Sequence, residues 1–155
     1  MPWTYSLANL ASAIGAASPR VEGGFSSIST DTRTLKPGDV FFALAGARFD
    51  ANEFLDQAFD KGACAAVALR THEKGPCLVV DDTLRALQRF AQWHRQHFTL
   101  PLIAITGSCG KTTAKDLAAG VLGSRYRVVK TQGNLNNDIG VPLSLAQIDS
   151  GTECG

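Results

Sequence analysis

The chain has 155 residues, of which 45% are hydrophobic and 19% are charged, and its formal charge is +1. That length suits one ordinary domain, or a small domain followed by the start of another, and the hydrophobic fraction is high enough for a packed core. A charge near zero provides no electrostatic footprint for a nucleic acid, and the apolar runs fall far short of the roughly 20 residues that cross a bilayer. We therefore expect a folded protein with no nucleic-acid partner and no membrane insertion.

The amino terminus and the cysteine spacing indicate the compartment. The first residues, Met-Pro-Trp-Thr-Tyr-Ser, lack the basic segment, apolar core and cleavage site of a secretory signal. The four cysteines, at positions 64, 77, 109 and 154, have no CxxC spacing, and a reducing compartment keeps such cysteines as thiols. We expect a cytoplasmic protein without disulfides and without a zinc site.

The first hundred residues alternate helical and strand patterns. Apolar side chains at helical spacing predict a first helix near residues 7–14, with Thr4 or Ser6 available as its cap. Pro37 and Gly38 predict a tight turn between two strands. The further predicted elements are, in chain order, strands over 26–33 and 40–44, a helix over 53–61 that Gly62 ends, strands over 63–69 and 77–80, and a helix over 83–98.

A second domain is predicted to begin close to Pro101. Residues 102–106 are a short, continuous apolar run, typical of a strand buried on both faces of a mainly parallel sheet. Helical spacing then extends over 114–123, and residues 126–129 predict another strand. The predicted fold class is α/β, with a small mixed α/β domain over 1–98 and the beginning of a second domain, with a mainly parallel sheet, over 99–155.

The segment between this strand and this helix reads Gly-Ser-Cys-Gly-Lys-Thr-Thr over 107–113, in the context that a phosphate-binding loop requires. Glycines let backbone N–H groups turn toward phosphate oxygens, the helix amino terminus adds the positive end of its dipole, and Lys111 supplies a cation. Thr112 can then ligate magnesium. Because Ile105 stands where the longer pattern has its first glycine, this is the shorter GxxGKTT loop. The alternative is a plain surface turn before a helix.

A second polar segment has three carboxamides in four positions, Asn134, Asn136 and Asn137. Because each carboxamide both donates and accepts hydrogen bonds, the cluster can bind a polar ligand close to the phosphate loop. The alternative, which composition alone favours, is a turn that leads into a helix with Pro142 in its first turn.

Other chemistry-bearing side chains have simpler explanations. His94 and His97 lie one helical turn apart, which permits two metal ligands but supplies no third, so we expect imidazoles that are partly buried or solvated. Asp81 and Asp82 immediately precede the helix at Thr83, and we expect them to cap it and to compensate its dipole.

Three segments in this order resemble the Mur ligases, the ATP-dependent amino-acid ligases of peptidoglycan synthesis, over essentially the whole chain. Residues 29–46, followed by Phe49, Asp50 and Phe54, are similar to the family's uridine-diphosphate-binding amino-terminal domain. Residues 105–113 are similar to its ATP loop. Residues 133–143 resemble the branch of the family that adds D-alanyl-D-alanine.

Two positions depart from the family pattern. Asn52 stands where a histidine often occurs, and Cys109 stands where Asn or Ser is more usual. Both are predicted to lie in loops, and neither removes an essential charge.

The resemblance also implies the residues of the site. It makes Lys111 the catalytic residue and Thr112 the magnesium ligand. The implied ATP-binding residues are Gly107, Ser108, Cys109, Gly110, Lys111, Thr112 and Thr113. The implied substrate-binding residues are Ser29, Thr30, Arg33, Ala45, Gly46, Ala47, Arg48, Asn134, Asn136 and Asn137.

The resemblance further implies a monomer that uses ATP and Mg²⁺ and acts on UDP-N-acetylmuramoyl-peptide and D-alanyl-D-alanine. In the parent reaction the peptide carboxylate attacks the γ-phosphate to give an acyl phosphate, which the amine of the dipeptide then attacks. The family has three domains, so we expect this chain to be a fragment that ends early in the second and is inactive by itself.

Two alternatives to that function stay open. The first is the related ligase that adds the third residue of the peptide, and residues 134–137 argue against it. The second is a nucleotide-binding or regulatory module without turnover, which an activity assay distinguishes from both ligases.

Overall fold

The computed structural model describes residues 3–16, 22–46, 49–133 and 137–155. The chain divides into two compact units, an amino-terminal unit that includes Trp3–Phe90 and a carboxy-terminal unit that includes Ala91–Gly155. Each unit has its own buried side chains. In the described part of the chain, no helix is long and apolar enough to cross a membrane.

Short strands and helices make up the amino-terminal unit. Its strands are β1 (Tyr5–Ser6), β2 (Gly24–Phe25), β3 (Ile28–Ser29), β4 (Val40–Phe42), β5 (Ala45–Gly46), β6 (Phe49–Asp50), β7 (Ala65–Ala68) and β8 (Cys77–Val79). Its helices are α1 (Leu7–Ile14), a 3₁₀ helix (Ala51–Phe54) and α2 (Leu55–Asp60). Helix α3 (Thr83–Arg95) begins in this unit and ends in the carboxy-terminal unit, which also holds α4 (Lys111–Gly123) and α5 (Gly140–Leu145).

The core of the amino-terminal unit is a four-stranded parallel sheet in the order β3-β4-β7-β8. Val40 lies opposite Ala65, and Ala66 lies opposite Cys77. Strands β4 and β7 are central and all their residues are buried, as expected for parallel strands covered on both faces. The strands predicted over 40–44 and 63–69 are therefore confirmed, and the fold is mixed α/β.

Helix α1 forms where the apolar spacing predicts it. Ser6 is its cap: Ser6 Oγ accepts from the Asn9 N–H at 3.1 Å, and Asn9 Oδ1 accepts from the Ser6 N–H at 3.2 Å. This reciprocal pair satisfies two backbone donors that a helix start otherwise leaves unpaired. Gly15 ends the helix in the left-handed conformation, with φ of +76°.

The predicted turn at Pro37 and Gly38 forms, but it belongs to a crossing between two parallel strands. Because β3 and β4 run in the same direction, the chain must return across the sheet between them. Buried Asp39 stabilises this crossing, since one carboxylate oxygen accepts from the Lys36 N–H at 2.9 Å and the other accepts from Ser27 Oγ.

Helices α2 and α3 are shorter than predicted. Residues 51–54 form the 3₁₀ helix instead of the first α-helical turn, and Gly62, with φ of +90°, follows α2 as predicted. Asp82 Oδ1 accepts from the Arg85 N–H at 2.9 Å. The prediction that this acidic pair caps α3 is confirmed for Asp82.

The carboxy-terminal unit contains a buried histidine. His94 is fully buried, and its Nε2 lies 2.9 Å from the Ile148 carbonyl oxygen. Burial lowers the pKa of His94 to about 4, because the charged imidazolium loses its hydration. His97 Nδ1 lies 2.8 Å from the Trp93 carbonyl oxygen. Both imidazoles thus have structural partners.

Two strands predicted in the carboxy-terminal unit do not form as predicted. Residues 102–106 are exposed and lie outside any strand, with Ile103 57% exposed. A strand buried on both faces needs a neighbour on each side and a layer above and below. Here the Ile103 N–H donates to the Gly155 carbonyl at 2.8 Å, and Val128 forms an isolated parallel bridge with Cys154. The mainly parallel sheet predicted for this unit is therefore wrong for the described residues, whereas the predicted helix over 114–123 is confirmed as α4.

Candidate functional site

The glycine-rich loop opens directly into α4. Gly107 has φ of +150° and Gly110 has φ of +76°, and Gly110 is the residue that caps the helix. A Cβ at Gly110 would meet no atom within 4 Å, so this position needs glycine for its left-handed backbone and not for space. The sequence GxxG therefore supplies the two backbone conformations that turn the chain into α4.

The start of α4 is electrostatically suited to an anion. The first N–H groups of a helix lack intrahelical partners and carry the positive end of the helix dipole. No acidic residue lies in the first turn of α4. Lys111 is the first residue of the helix, and its Nζ donates to the Gly107 carbonyl oxygen across the loop. Its ammonium group therefore lies against the loop that is predicted to hold phosphate.

A cavity of about 470 Å³ lies beside this loop within the carboxy-terminal unit. Its walls are mainly apolar and include Ile103, Ala118, Leu122 and Val129. Three lysines also line it: Lys111, Lys115 and Lys130. The cavity thus combines an apolar interior with a cationic edge next to the phosphate loop, as is usual in pockets for small molecules.

Residues 131–133 are tied to α4 by Lys115. Its Nζ donates to the Thr131 carbonyl oxygen at 2.7 Å and to the Gly133 carbonyl oxygen at 3.0 Å. Sequence reasoning did not single out this lysine, although its place four residues after Lys111 puts both on one face of the helix.

The asparagine segment is partly described. Asn137 Oδ1 accepts from the Gly140 N–H at 2.8 Å, at the start of α5. Pro142 lies in the first turn of α5, so the predicted turn and helix form here. Asn134 and Asn136 lie outside the described residues. The substrate-binding role predicted for these asparagines stays a prediction.

The predicted substrate residues of the amino-terminal unit lie at the end of β3 and just beyond it. Ser29 Oγ donates to the Asp31 carbonyl oxygen at 2.9 Å, which shapes the turn that contains Thr30. Arg33 forms a bidentate ion pair with the Asp31 carboxylate, with Nη2 and Oδ2 2.6 Å apart. The Arg33 side chain is 86% exposed. These hydrogen bonds to Arg33 lower the pKa of Asp31 to about 2. The guanidinium of Arg33, a predicted substrate-binding residue, is therefore already paired.

The β5–β6 hairpin carries the other predicted contacts. Ala45 and Gly46 form β5, whereas Ala47 and Arg48 lie outside the described residues. The Ala45 N–H donates to Thr83 Oγ1 at 3.2 Å, which attaches the hairpin to the start of α3.

Asn52, one of the two departures from the family pattern, has a structural role. Its Nδ2 donates to Asp50 Oδ1 at 2.6 Å, and its Oδ1 accepts from the Leu69 N–H at 2.9 Å. Asn52 is buried. It thus joins the 3₁₀ helix to the residue that follows β7, and its uncharged carboxamide fits a buried position with both donors and acceptors nearby.

Among the described residues there is no group of three or more His, Cys, Asp or Glu side chains placed to hold a metal ion. The residues at the loop still fit a magnesium-nucleotide, because Mg²⁺ usually takes one or two protein oxygens and obtains the rest from phosphates and water. Thr112 would supply such an oxygen through its hydroxyl group, and Lys111 with the amino terminus of α4 would bind the phosphate groups.

Comparison with known proteins supports the resemblance to the Mur ligases. The family described as "Mur ligase middle domain" matches residues 105–155. The chain is 44% identical over 130 residues to the UDP-N-acetylmuramoyl-tripeptide--D-alanyl-D-alanine ligase of Bacillus subtilis (strain 168), a match that covers 81% of this chain and 28% of that protein.

Solved structures are similar as well. The UDP-N-acetylmuramoylalanyl-D-glutamyl-2,6-diaminopimelate--D-alanyl-D-alanyl ligase from Acinetobacter baumannii matches with a TM-score of 0.88 and 34% identity, over 99% of this chain and 36% of that one. The MurF ligase from Thermotoga maritima in complex with ADP matches with a TM-score of 0.73 and 32% identity, over 83% of this chain and 30% of that one. The chain thus spans 28% to 36% of the length of these three proteins.

Proposed function

Because the chain belongs to the Mur ligase family, we propose that it is the amino-terminal part of an ATP-dependent ligase that joins D-alanyl-D-alanine to UDP-N-acetylmuramoyl-tripeptide. The observation that carries this proposal is the loop at 107–110, which opens α4 with two positive-φ glycines, a lysine and no acid in the first helical turn. The similarity to a MurF ligase solved with ADP supports a nucleotide at this loop. The cytoplasmic location stays a prediction.

The carboxy-terminal unit would bind the nucleotide. Backbone N–H groups of residues 107–113 would donate to phosphate oxygens, and Lys111 would exchange its contact with the Gly107 carbonyl for the β- and γ-phosphates. Thr112 would hold Mg²⁺, which neutralises phosphate charge during phosphoryl transfer. Cys109 and Ser108 would contribute mainly backbone N–H groups, so the departure at Cys109 leaves this role intact.

The amino-terminal unit would bind the uridine diphosphate part of the substrate. Ser29, Thr30 and Arg33 would contact it at the end of β3, and Ala45 and Gly46 would contact it from β5, together with Ala47 and Arg48. A planar guanidinium matches two phosphate oxygens at once. Since Arg33 already contacts Asp31 in this way, the diphosphate would have to displace the Asp31 carboxylate from Arg33 or bind the guanidinium alongside it.

The asparagines at 134, 136 and 137 would bind the polar parts of the peptide substrate next to the phosphate loop. They also favour the ligase that adds D-alanyl-D-alanine over the ligase that adds the third residue. The high similarity to the Bacillus subtilis enzyme supports the same choice.

Replacing Lys111 by Ala tests the nucleotide site. We expect Mg-ATP affinity to fall about 10-fold to 150-fold, the loss of one charge-assisted contact worth roughly 1.5 to 3 kcal/mol. Calorimetric titration measures the affinity, and thermal melts of both proteins should agree closely because Lys111 contributes little packing. Lys36→Ala, an exposed lysine of the amino-terminal unit, is the control for lost charge. Equal affinities for the wild type and Lys111→Ala would remove the phosphate-loop assignment.

Two further measurements address the rest of the proposal. Titrating UDP-N-acetylmuramoyl-tripeptide into the labelled chain should shift NMR signals of residues 29–33 and 45–46, and shifts confined to other segments would contradict the substrate assignment.

We expect the 155-residue chain to release no phosphate from ATP above background in the presence of UDP-N-acetylmuramoyl-tripeptide and D-alanyl-D-alanine. Turnover near the roughly 1 to 1,000 per second usual for enzymes would contradict the view that it is only part of the ligase.

A further inference from the structure

We infer that Lys115 is a positioning residue that joins residues 131–133, the entrance to the asparagine segment, to the nucleotide loop. This inference rests on the proposed function. It assigns a role to a lysine that lies outside the glycine-rich loop itself.

The ammonium group of Lys115 contacts two backbone carbonyls at once, and we call this arrangement the clamp. Its ammonium group donates to two backbone carbonyls, of Thr131 at 2.7 Å and of Gly133 at 3.0 Å, and its side chain is 15% exposed. Carbonyls two residues apart on one segment are thus held by one cation. Such charge-assisted hydrogen bonds are about twice as strong as neutral ones.

The neighbouring carboxylate, Asp116, lies too far from the ammonium group of Lys115 to compete closely with these carbonyls. Asp116 Oδ1 lies 2.8 Å from Lys130 Nζ but 3.8 Å from Lys115 Nζ. Lys130 therefore has the closer ion pair, although both lysines line the same cavity. This contrast makes Lys130 the matched control, because it has the same charge and a similar place but holds no described backbone carbonyl.

The place of Lys115 on α4 connects the clamp to the loop. Lys111 and Lys115 lie one turn apart on the same helix face, and Lys111 contacts the Gly107 carbonyl. A nucleotide that binds Lys111 and the first turn of α4 would therefore act on residues 131–133 through the two hydrogen bonds that Lys115 already makes to them. The loop and residues 131–133 would then respond to the nucleotide together.

NMR titration of the 155-residue chain with Mg-ATP tests this coupling. Signals of 107–113 report nucleotide binding, and signals of 131–133 report the coupled segment. In the wild type we expect both groups to shift with the same dissociation constant. In Lys115→Met the loop should still shift, with an affinity within about 10-fold of the wild type because Lys111 is intact, whereas the shifts over 131–133 should disappear.

The carbonyl carbons give a direct signature of the clamp. The ¹³C shifts of Thr131 and Gly133 should change in Lys115→Met and should be largely restored in Lys115→Arg. The control is read at Gly133, whose shift should stay close to its wild-type value in Lys130→Met, because Lys130 is the immediate neighbour of Thr131. If Lys115→Met does not fold, Lys115→Gln, which is one bond shorter than lysine and has no charge to hold both carbonyls, takes its place.

The outcomes separate the inference from the proposed function. Absence of loop shifts in the wild type would overturn the nucleotide site and, with it, the inference. Loop shifts without shifts over 131–133 in the wild type, or coupled shifts that persist in Lys115→Met or Lys115→Gln, would overturn the inference alone.

Discussion

The two units of this chain differ in how far their side chains are buried. In the amino-terminal unit, the central strands β4 and β7 are completely buried, and α1 and α2 turn their apolar side chains inward. In the carboxy-terminal unit, none of the residues of α4 is buried, and its small apolar side chains line an open cavity of about 470 Å³. The first unit is therefore held by a packed core, whereas the helix with the candidate nucleotide loop has little core to hold it.

This difference in burial matches a difference in how the two candidate sites are built. The predicted substrate residues Ser29, Thr30 and Arg33 of the amino-terminal unit lie at the end of β3 or just after it, and attachment to a sheet suits accurate recognition. The candidate nucleotide loop depends instead on two glycine conformations and on the charge of a helix dipole and lysines, which need less packing. Substitutions should therefore separate the two units by stability and by ligand binding.

The largest difference is expected between two leucines on helices. Leu55 in α2 is 0% exposed, and Leu117 in α4 is 67% exposed. Leu55→Ala should cost roughly 2 to 5 kcal/mol of unfolding free energy because it leaves a cavity, whereas Leu117→Ala should stay within about 0.5 kcal/mol. Denaturant titration followed by circular dichroism measures both. Similar costs for the two variants would contradict the packing difference between the units.

The next effect is a loss of stability at mildly acidic pH that is confined to the carboxy-terminal unit. The pKa of buried His94 is lowered to about 4, so the neutral form stabilises the fold above about pH 6.5. As the pH falls from 6.5 toward 4, the unfolded state takes up the proton first and about 3 kcal/mol is lost.

Hydrogen exchange at pH 7 and pH 4.5, corrected for intrinsic rates, measures this loss. Amides of α5 should become less protected at the lower pH, and amides of β7 should change little. The control is His94→Gln, which cannot titrate, so its α5 amides should show little pH dependence. Equal pH dependence in α5 of both proteins would rule out His94 as the cause.

Glycine substitutions give a smaller effect whose sign differs with position. Gly110→Ala should cost roughly 1 to 2 kcal/mol, because only its left-handed backbone opposes a side chain. Gly62→Ala in the amino-terminal unit should cost more, since its Cβ would also lie 3.1 Å from a side-chain atom of Pro37. Gly120→Ala, inside α4 with open space around it, should stabilise by about 0.5 to 1 kcal/mol. Thermal melts rank the three variants, and destabilisation by Gly120→Ala would mean that α4 is more tightly packed than described.

The smallest effect concerns the paired arginine of the amino-terminal unit. Asp31→Asn should weaken its pair with Arg33 and raise the affinity for uridine diphosphate by up to about fivefold, the scale of one exposed ion pair. Titration of the nucleotide into Asp31→Asn and into Asp31→Asn/Arg33→Gln checks this. If both variants bind equally well, Arg33 does not contact the diphosphate. Mg-ATP binding at the other unit should be unchanged in both.

Local features of the fold could be predicted from the sequence because local interactions specify them. The spacing of Leu7, Leu10 and Ile14 was enough for α1, and the acidic pair before Thr83 was enough for the cap of α3. The glycine-rich loop and the helix after it also follow from short-range preferences for backbone conformation. The family resemblance likewise rests on short segments, residues 29–46, 105–113 and 133–143.

Features that depend on distant partners could not be predicted in the same way. An apolar run such as 102–106 has the composition of a buried strand, but burial requires neighbours that the run does not encode. The partner of Arg33 was not foreseen, because the loop conformation brings Asp31 around to it. The role of Lys115 depends on carbonyls 16 and 18 residues away.

The sequence by itself therefore determined where the helices lie, the glycine-rich loop and the family resemblance of this protein, all of which rest on short segments of the chain. Only the tertiary structure decided which strands pair, which imidazole is buried against Ile148, and which cations are already engaged by the chain. The physical reason is that backbone preferences act locally, whereas burial and ion pairing depend on which groups the fold brings together.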